Sequence, residues 1–534
     1  MQSLKQHIKL NKFCLLIACI HWIISFFTDR LIFEYVTWDF SNLIQSAKTI
    51  ITCGCKVVFL LLLIGLWHGI FLFVKKADRS FVKYTLIYMG INLVLLVLTW
   101  PGIWRMDEFG LLSNALRLQP VFWQNYLTSI FYIFSVMLFP CPSGVILCQI
   151  VVNSLITGYI LWQLERSFAE QGKPAGRWIY LGYLPFIMLP VLDSNLYPMR
   201  MSVYAFLELL LIFLLYRQRK SEYKNGFVWA LALLGGVVTV WRTEAIYYIV
   251  AIPVLILVLF WSVWEKGQKM KAIICYLVVT IVLFVPQQLG NQLTSGNEYD
   301  LTSVVLPLVP LVEEANRHED SAELLEEIDQ VINVEVALCG AREGKSGISL
   351  YWSRPDEFKR DYTSEEYRSF KSAYYKLIIK YPAVFLKERW QSFIGSTGLL
   401  ENTTELFTKE GVPNYDSFRK YFLGEPISDK LRTNVIEKLE WRKTGAYETT
   451  KSGYGWIYSA IPAIILLAIC CIACLIRKKW NLALLLATPL AKVPLIFVTA
   501  PSRLFMYYYS VYLIGYGVIV FVLIRWLHGR VSNG

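Results

Sequence analysis

The chain has 534 residues, of which 56% are hydrophobic and only 17% are charged. A soluble fold cannot bury that much apolar surface, so the composition excludes an ordinary soluble protein and predicts a polytopic, all-α membrane protein. The net charge of +12 combines a mildly acidic segment, 290–454, with a basic remainder, and it gives no indication of nucleic-acid binding.

Apolar runs along the chain predict about twelve membrane-spanning helices. They cover residues 13–28, 50–74, 81–100, 143–163, 178–192, 199–216, 227–241, 244–264, 272–289, 455–476, 481–500 and 504–525. The first has no small-residue cleavage site after it, so it is predicted to be a retained helix. The run 126–139 is short and ends in Pro-Cys-Pro, which favours a juxtamembrane or re-entrant helix.

The orientation follows from five loops that are rich in Lys and Arg, a composition typical of the cytoplasmic side. These loops are 75–79, 166–177, 217–220, 266–271 and 477–479. All five loops lie on the cytoplasmic side if the segment 126–139 does not cross the membrane. We therefore expect a multi-pass protein of the cytoplasmic membrane with both termini in the cytoplasm.

Three parts are predicted. Residues 1–289 form an N-terminal transmembrane region whose first large external loop is 101–142. Residues 290–454 form an external, mainly helical domain, and residues 455–534 form the C-terminal transmembrane helices. Within the external domain, 322–337 and 365–393 have helical spacing of apolar residues. The second stretch mixes basic and aromatic residues, which fits a helix at the membrane interface and a solvated helix equally well.

Two neighbouring carboxylates, Asp107 and Glu108, follow the Trp-Pro-Gly sequence at 100–102 on the predicted outer face. Alone, such a pair is most simply a solvated acidic loop. Further polar residues are expected on the same face, where each alone would anchor a helix at the headgroups. These are Asp193, Arg200, Arg242, Glu244, Arg503 and Tyr507.

Together these residue types suit one reaction. A carboxylate can accept the proton of an attacking hydroxyl. Arginine can hold a leaving phosphate through two oxygens at once. Outside the cytoplasmic membrane there is no pool of nucleotide sugars, so a sugar transferred there must arrive on a lipid phosphate. The sequence has no histidine cluster, phosphate-binding loop or dinucleotide fingerprint, which argues against a zinc hydrolase and an ATP-driven pump.

The pattern resembles the GT-C superfamily of integral membrane glycosyltransferases, in particular bacterial relatives of the protein O-mannosyltransferases and aminoarabinose transferases. The resemblance covers roughly residues 81–290 and the last span. The segments that carry it are Trp100-Pro101-Gly102 with Asp107, then Arg242-Thr243-Glu244-Ala245-Ile246-Tyr247, and Arg503 with the tyrosines that follow it.

The resemblance implies a GT-C-like fold and a catalytic or metal-coordinating role for Asp107, with Glu108 as its neighbour. Two options stay open for the metal: Asp107 acts directly, or it holds a divalent cation such as Mg²⁺ or Mn²⁺. Relatives often have a second acid directly after a basic residue, where this chain reads Arg200-Met201. Either Asp193 takes that role or the site works with one carboxylate.

We therefore expect an enzyme that transfers a sugar from a polyprenyl-phosphate donor to a glycan, lipid or polymer of the cell envelope, with inversion. A polysaccharide polymerase or an O-antigen-type ligase is the main alternative. Those enzymes usually depend on outer-loop Arg and His pairs, and the external domain has only His318. The non-enzymatic alternative is a flippase or transporter of lipid-linked glycans. The absence of an internal repeat weakens the case for a transporter, but Glu208 and Lys492 lie unexplained inside apolar runs.

Overall fold

The structure is a computed structural model that describes residues 12–34, 45–104, 106–116, 124–172, 176–198, 200–294, 298–398, 418–440 and 455–531. Helices are the only regular elements of these residues, apart from one isolated antiparallel bridge between Ile332 and Lys359. The predicted all-α class is confirmed. The Asn-Thr-Thr sequence at 402–404, a match to a glycosylation acceptor, lies outside the described residues.

The described α-helices are, in chain order, Lys12–Ile24, Gln45–Lys76, Arg79–Leu98, Met106–Leu116, Tyr126–Leu138, Gly144–Ala169, Leu189–Asn195, Arg200–Gln218, Asn225–Trp241, Tyr248–Leu259, Lys266–Thr294, Glu298–Ala315, Ala322–Asp329, Val334–Arg342, Gly347–Ser353, Pro355–Phe358, Ser364–Lys380, Pro382–Ser396, Asp429–Glu440, Gly455–Tyr458, Ile461–Ile476, Trp480–Leu490, Lys492–Thr499 and Tyr509–Val531. The described 3₁₀ segments are Ser25–Thr28, Gly176–Phe186, Thr243–Ala245, Glu319–Ser321 and Phe505–Tyr507, and a π-helical turn covers Arg30–Glu34.

Seven of the described helical stretches are long and apolar enough to cross a membrane. They are Thr52–Lys76, Arg79–Leu98, Gly144–Ala169, Arg200–Gln218, Lys266–Gly290, Trp480–Thr499 and Tyr509–His528. Five shorter apolar stretches are Lys12–Thr28, Tyr126–Leu138, Asn225–Trp241, Thr243–Leu259 and Ile461–Ile476. The helices identify a membrane protein, and the count of twelve spans stays a prediction.

The predicted span 178–192 is not one α-helix. A 3₁₀ segment covers Gly176–Phe186, and a separate short α-helix follows at Leu189–Asn195. Pro185 and Pro190 lack the amide hydrogen that a continuous helix needs, so the run is interrupted although its composition is apolar. A separate chain reversal follows the short helix at residues 196–198, shortly before Arg200.

Two units emerge from the contacts within the chain. The first comprises residues 1–217, 403–446 and 516–534, and the second comprises residues 218–402 and 447–515. The predicted parts 1–289, 290–454 and 455–534 were defined by the expected membrane spans and not by contacts. This division stays a prediction.

A buried ion pair holds the N-terminal helices of the first unit together. Lys56 lies within the apolar stretch Thr52–Lys76 and donates to Asp29, 2.9 Å away, and to the hydroxyl of Ser25. A cation among apolar helices is costly unless it is paired, and these two partners meet that requirement. Around it, apolar side chains form a core to which Leu63, Val136 and Leu196 belong.

In the second unit, helices between Glu298 and Ser396 pack around their own apolar core. Each predicted helix of this part is divided in two. The stretch 322–337 breaks where Asn333 caps a new helix, and 365–393 breaks at Tyr381, because Pro382 begins the next helix. Tyr375 and Ile379 are exposed, so the choice between an interfacial and a solvated helix stays open.

Replacement of Gly347 by Ala should destabilise the second unit. An added Cβ would lie 1.8 Å from the carbonyl oxygen of Val305, and two backbones would have to separate to make room. We expect a loss of about 1–3 kcal/mol, seen as a lower thermal unfolding midpoint of the full chain in detergent. Gly267→Ala is the matched control, because its Cβ would meet nothing within 4 Å. Equal midpoints for the two variants would contradict this packing.

Candidate functional site

The Trp-Pro-Gly turn at 100–102 requires its glycine. Gly102 has a φ of +101°, and an added Cβ would lie 2.3 Å from the Cδ1 atom of Ile146 and 3.0 Å from the carbonyl oxygen of Leu196. The next residue, Ile103, donates its N–H to the same carbonyl at 2.8 Å. The turn is therefore bonded directly to the chain reversal before Arg200.

A second support for the turn comes from far along the chain. Arg432, in the helix Asp429–Glu440, donates from Nε to the carbonyl of Thr99 at 3.1 Å and from Nη2 to that of Gly102 at 2.9 Å. The indole of Trp100 donates to the carbonyl of Leu423 at 2.7 Å. The segment 418–440, predicted as part of the external domain, thus belongs with the turn in the first unit.

The reversal before Arg200 is held by a network of buried amides. The amide nitrogen of Asn195 donates to the hydroxyl of Tyr88 and to Asn92, and its oxygen accepts from Asn153 and Ser202. All five residues are buried, so these bonds compensate polar groups that water does not reach. The network fixes the position at which the helix Arg200–Gln218 begins.

The two adjacent carboxylates lie in the first turn of the helix Met106–Leu116 and not in a loop. The side chain of Asp107 lies outside the described residues. Glu108 is only 6% exposed, so the expected water-facing carboxylate is wrong for this residue.

The charges of Glu108 and Arg200 both act on the phenol of Tyr132, a buried tyrosine that donates a hydrogen bond to the carbonyl of Pro198. Asp193 lies half-buried in the last turn of the helix Leu189–Asn195. The first unit therefore contains an acid and an arginine that act electrostatically on one buried phenol.

A buried group of charges lies at the Arg-Thr-Glu sequence of the second unit. Arg242 donates from Nε to Glu244 at 2.9 Å, and the two side chains are 10% and 8% exposed. The charge of Lys492 also acts on Glu244, and Lys492 is fully buried and donates to the hydroxyl of Ser510 at 2.8 Å. Charges of both signs therefore lie buried together at this place.

Arg503 is held at a third point of the second unit. It donates from Nη2 to Glu388 at 2.9 Å and to the side chain of Gln391 at 3.3 Å. Its stem packs against Gly395, where a Cβ would lie 2.9 Å from that of Arg503. Tyr507 is buried, and its hydroxyl lies 3.1 Å from that of Ser502. The helix Pro382–Ser396 therefore positions this arginine.

The eight predicted site residues divide between the units: Asp107, Glu108, Asp193 and Arg200 in the first, and Arg242, Glu244, Arg503 and Tyr507 in the second. Sequence reasoning missed Tyr132, Arg432 and Glu388, which have no distinguishing local pattern. Lys492 did have a signal, since it is a lysine within an apolar run.

Among the described side chains, no three His, Cys, Asp or Glu residues group as a metal site. Comparison with known proteins adds no relative: no protein-family model, curated protein or solved structure matches the chain.

Replacement of Asn195 by Ala should remove four hydrogen bonds and leave buried partners unsatisfied. A buried unsatisfied group costs about 1–3 kcal/mol, so we expect a clearly lower thermal unfolding midpoint of the purified chain. Asn225→Ala is the matched control, because Asn225 is exposed and accepts from Tyr223 and Lys271 at the surface. If both variants unfold like the wild type, the network does not hold the turn.

Proposed function

We propose that the chain is a membrane glycosyltransferase of the GT-C type that uses a polyprenyl-phosphate-linked sugar. The observation that carries the proposal is that the charges of Glu108 and Arg200 both act on the buried phenol of Tyr132. Glu108 lies in the same helix turn as Asp107, the residue that the family resemblance makes catalytic. Proton acceptance and phosphate binding are the two tasks that such a transfer requires.

In this reaction the acceptor hydroxyl attacks the anomeric carbon of the sugar. A carboxylate, assigned to Asp107, takes the hydroxyl proton while the new oxygen–carbon bond forms with inversion. The bond from the anomeric carbon to the phosphate oxygen breaks, and its electron pair leaves with the lipid phosphate. The growing negative charge on that phosphate needs a fixed positive group, since water is scarce at such a site.

The second unit contains a buried group of charges that includes Arg242, Glu244 and Lys492. Arg242 is our proposed phosphate-binding residue, because a guanidinium can hold two phosphate oxygens at once.

In the proposed orientation, about twelve spans cross the cytoplasmic membrane and both termini are cytoplasmic. The catalytic loop and the segment 290–454 face outward, where the acceptor is a glycan, lipid or polymer of the cell envelope. Asp107 either acts directly or holds a divalent cation, Mg²⁺ or Mn²⁺.

Asp107→Asn should lower sugar transfer by about two to four orders of magnitude, because the amide keeps the shape and cannot accept the proton. Glu108→Gln should reduce transfer less, since the proposal assigns the proton acceptance to Asp107. The measurement is transfer from a synthetic polyprenyl-phosphate sugar by purified variants.

The chain contains a matched control for this pair. Asp356 and Glu357 are also adjacent acids in the first turn of a helix, and both are exposed. Asp356→Asn and Glu357→Gln should leave transfer unchanged. Full activity of Asp107→Asn would remove this residue from the reaction, and a severe loss only in Glu108→Gln would exchange the two roles.

Cys339 should report the orientation of the segment 290–454. It is exposed in the helix Val334–Arg342, so a membrane-impermeant maleimide added to intact cells should label it. Burial raises the pKa of the Cys141 thiol to about 11, so little thiolate forms at neutral pH and this residue should stay unlabelled. Cys339→Ser should abolish labelling of intact cells. Labelling of Cys339 only after the cells are opened would reverse the orientation.

A further inference from the structure

Arg389 has an unusual environment for an arginine. It belongs to the helix Pro382–Ser396 and is 0% exposed. One terminal nitrogen, Nη1, donates to the carbonyls of Val498 at 3.1 Å and Ala500 at 2.9 Å, at the end of the helix Lys492–Thr499. These two bonds satisfy the hydrogen-bond donors of Nη1, on one edge of the guanidinium.

The other edge has no partner. Both Nε and Nη2 of Arg389 are buried and find no hydrogen-bond partner among the described residues. Their N–H groups form the parallel fork that binds two oxygens of a carboxylate or a phosphate. A helix-capping role satisfies Nη1 alone, so it does not account for the buried fork.

A second unsatisfied group lies one turn further along the helix. Ser392 is 1% exposed, and its hydroxyl also lacks a partner within the described part of the chain. Residues three apart on a helix share a face, so Arg389 and Ser392 point their free donors to the same side. Other buried side chains also have single unsatisfied atoms, but Arg389 presents two on one edge of its guanidinium, with Ser392 on the same helix.

The charge at this position favours an anion. Burial lowers the pKa of the Arg389 guanidinium; Tyr374 and Glu388 oppose that shift, and the charge of Arg503 adds to it. Arg503 is bonded to Glu388, and the charges of both residues act on Arg389. An oxyanion at the fork of Arg389 would supply the missing hydrogen bonds.

We propose that Arg389 and Ser392 form an oxyanion site that takes a phosphate group, with Arg503 as the second cation. Phosphate offers several acceptor oxygens and matches a fork, a hydroxyl and a second arginine better than one carboxylate does. Assigning the phosphate to the lipid carrier rests on the proposed function. Oxyanion binding itself does not.

The test is calorimetric binding to the purified full chain in detergent, with three probes: polyprenyl phosphate, the uncharged polyprenol and inorganic phosphate. Polyprenyl phosphate should bind more tightly than polyprenol. Ser392→Ala and Arg389→Lys should each weaken that binding about tenfold or more, because one hydroxyl or one arm of the fork is lost. Arg360→Lys is the matched control, since Arg360 is a partly exposed arginine that pairs with Asp329.

Ser392→Ala separates binding from structure. Its hydroxyl has no partner, so a purely structural role predicts unchanged binding and an equal or higher unfolding midpoint. Unchanged affinity of this folded variant for both phosphate probes would overturn the proposal and leave only water at the fork.

The source of the phosphate is decided by the same titrations. If inorganic phosphate binds with the same dependence on Ser392 and polyprenyl phosphate does not, the oxyanion site stands and the lipid assignment falls. These titrations measure binding and not sugar transfer. A chain that binds phosphate but transfers no sugar would therefore contradict the proposed glycosyltransferase function and leave the oxyanion site in place.

Discussion

Two chain reversals meet in the first unit, where Gly102 lies against Leu196 and Ile103 donates to its carbonyl. Only a glycine can adopt the backbone conformation and permit the approach. The helix that carries Asp107 and Glu108 begins a few residues after one reversal, and Arg200 follows the other. The distance between the acids and the arginine therefore depends on this contact, which Arg432 reinforces from the segment 418–440.

Two buried polar groups of the first unit are satisfied in specific ways. Asn195 uses all four of its hydrogen-bonding positions, and Lys56 is paired with Asp29. Such groups are costly among apolar helices unless they are bonded, and their partners consequently fix how the helices pack. Arg389 differs from them, because two nitrogens on one edge of its buried guanidinium lack a partner among the described residues. A buried donor without a partner is the feature that points to a ligand.

Positive charge recurs at two places in the second unit. Arg242 bonds to Glu244, on which the charge of Lys492 also acts, and Arg503 bonds to Glu388, whose charge acts on Arg389. In each case a carboxylate bonds to one arginine and acts electrostatically on a second cation. Arginine side chains of this kind can hold the oxygens of a phosphate.

The sequence alone determined the all-α membrane class, since apolar runs of spanning length have few other uses. It also selected Arg242, Glu244 and Arg503 as candidate site residues. Tertiary structure decided the rest. The span 178–192 broke at its prolines, Glu108 became buried once its segment formed a helix, and Tyr132, Arg432 and Arg389 acquired their settings from partners over 60 residues away. Burial and pairing at that range depend on packing, which local pattern does not encode.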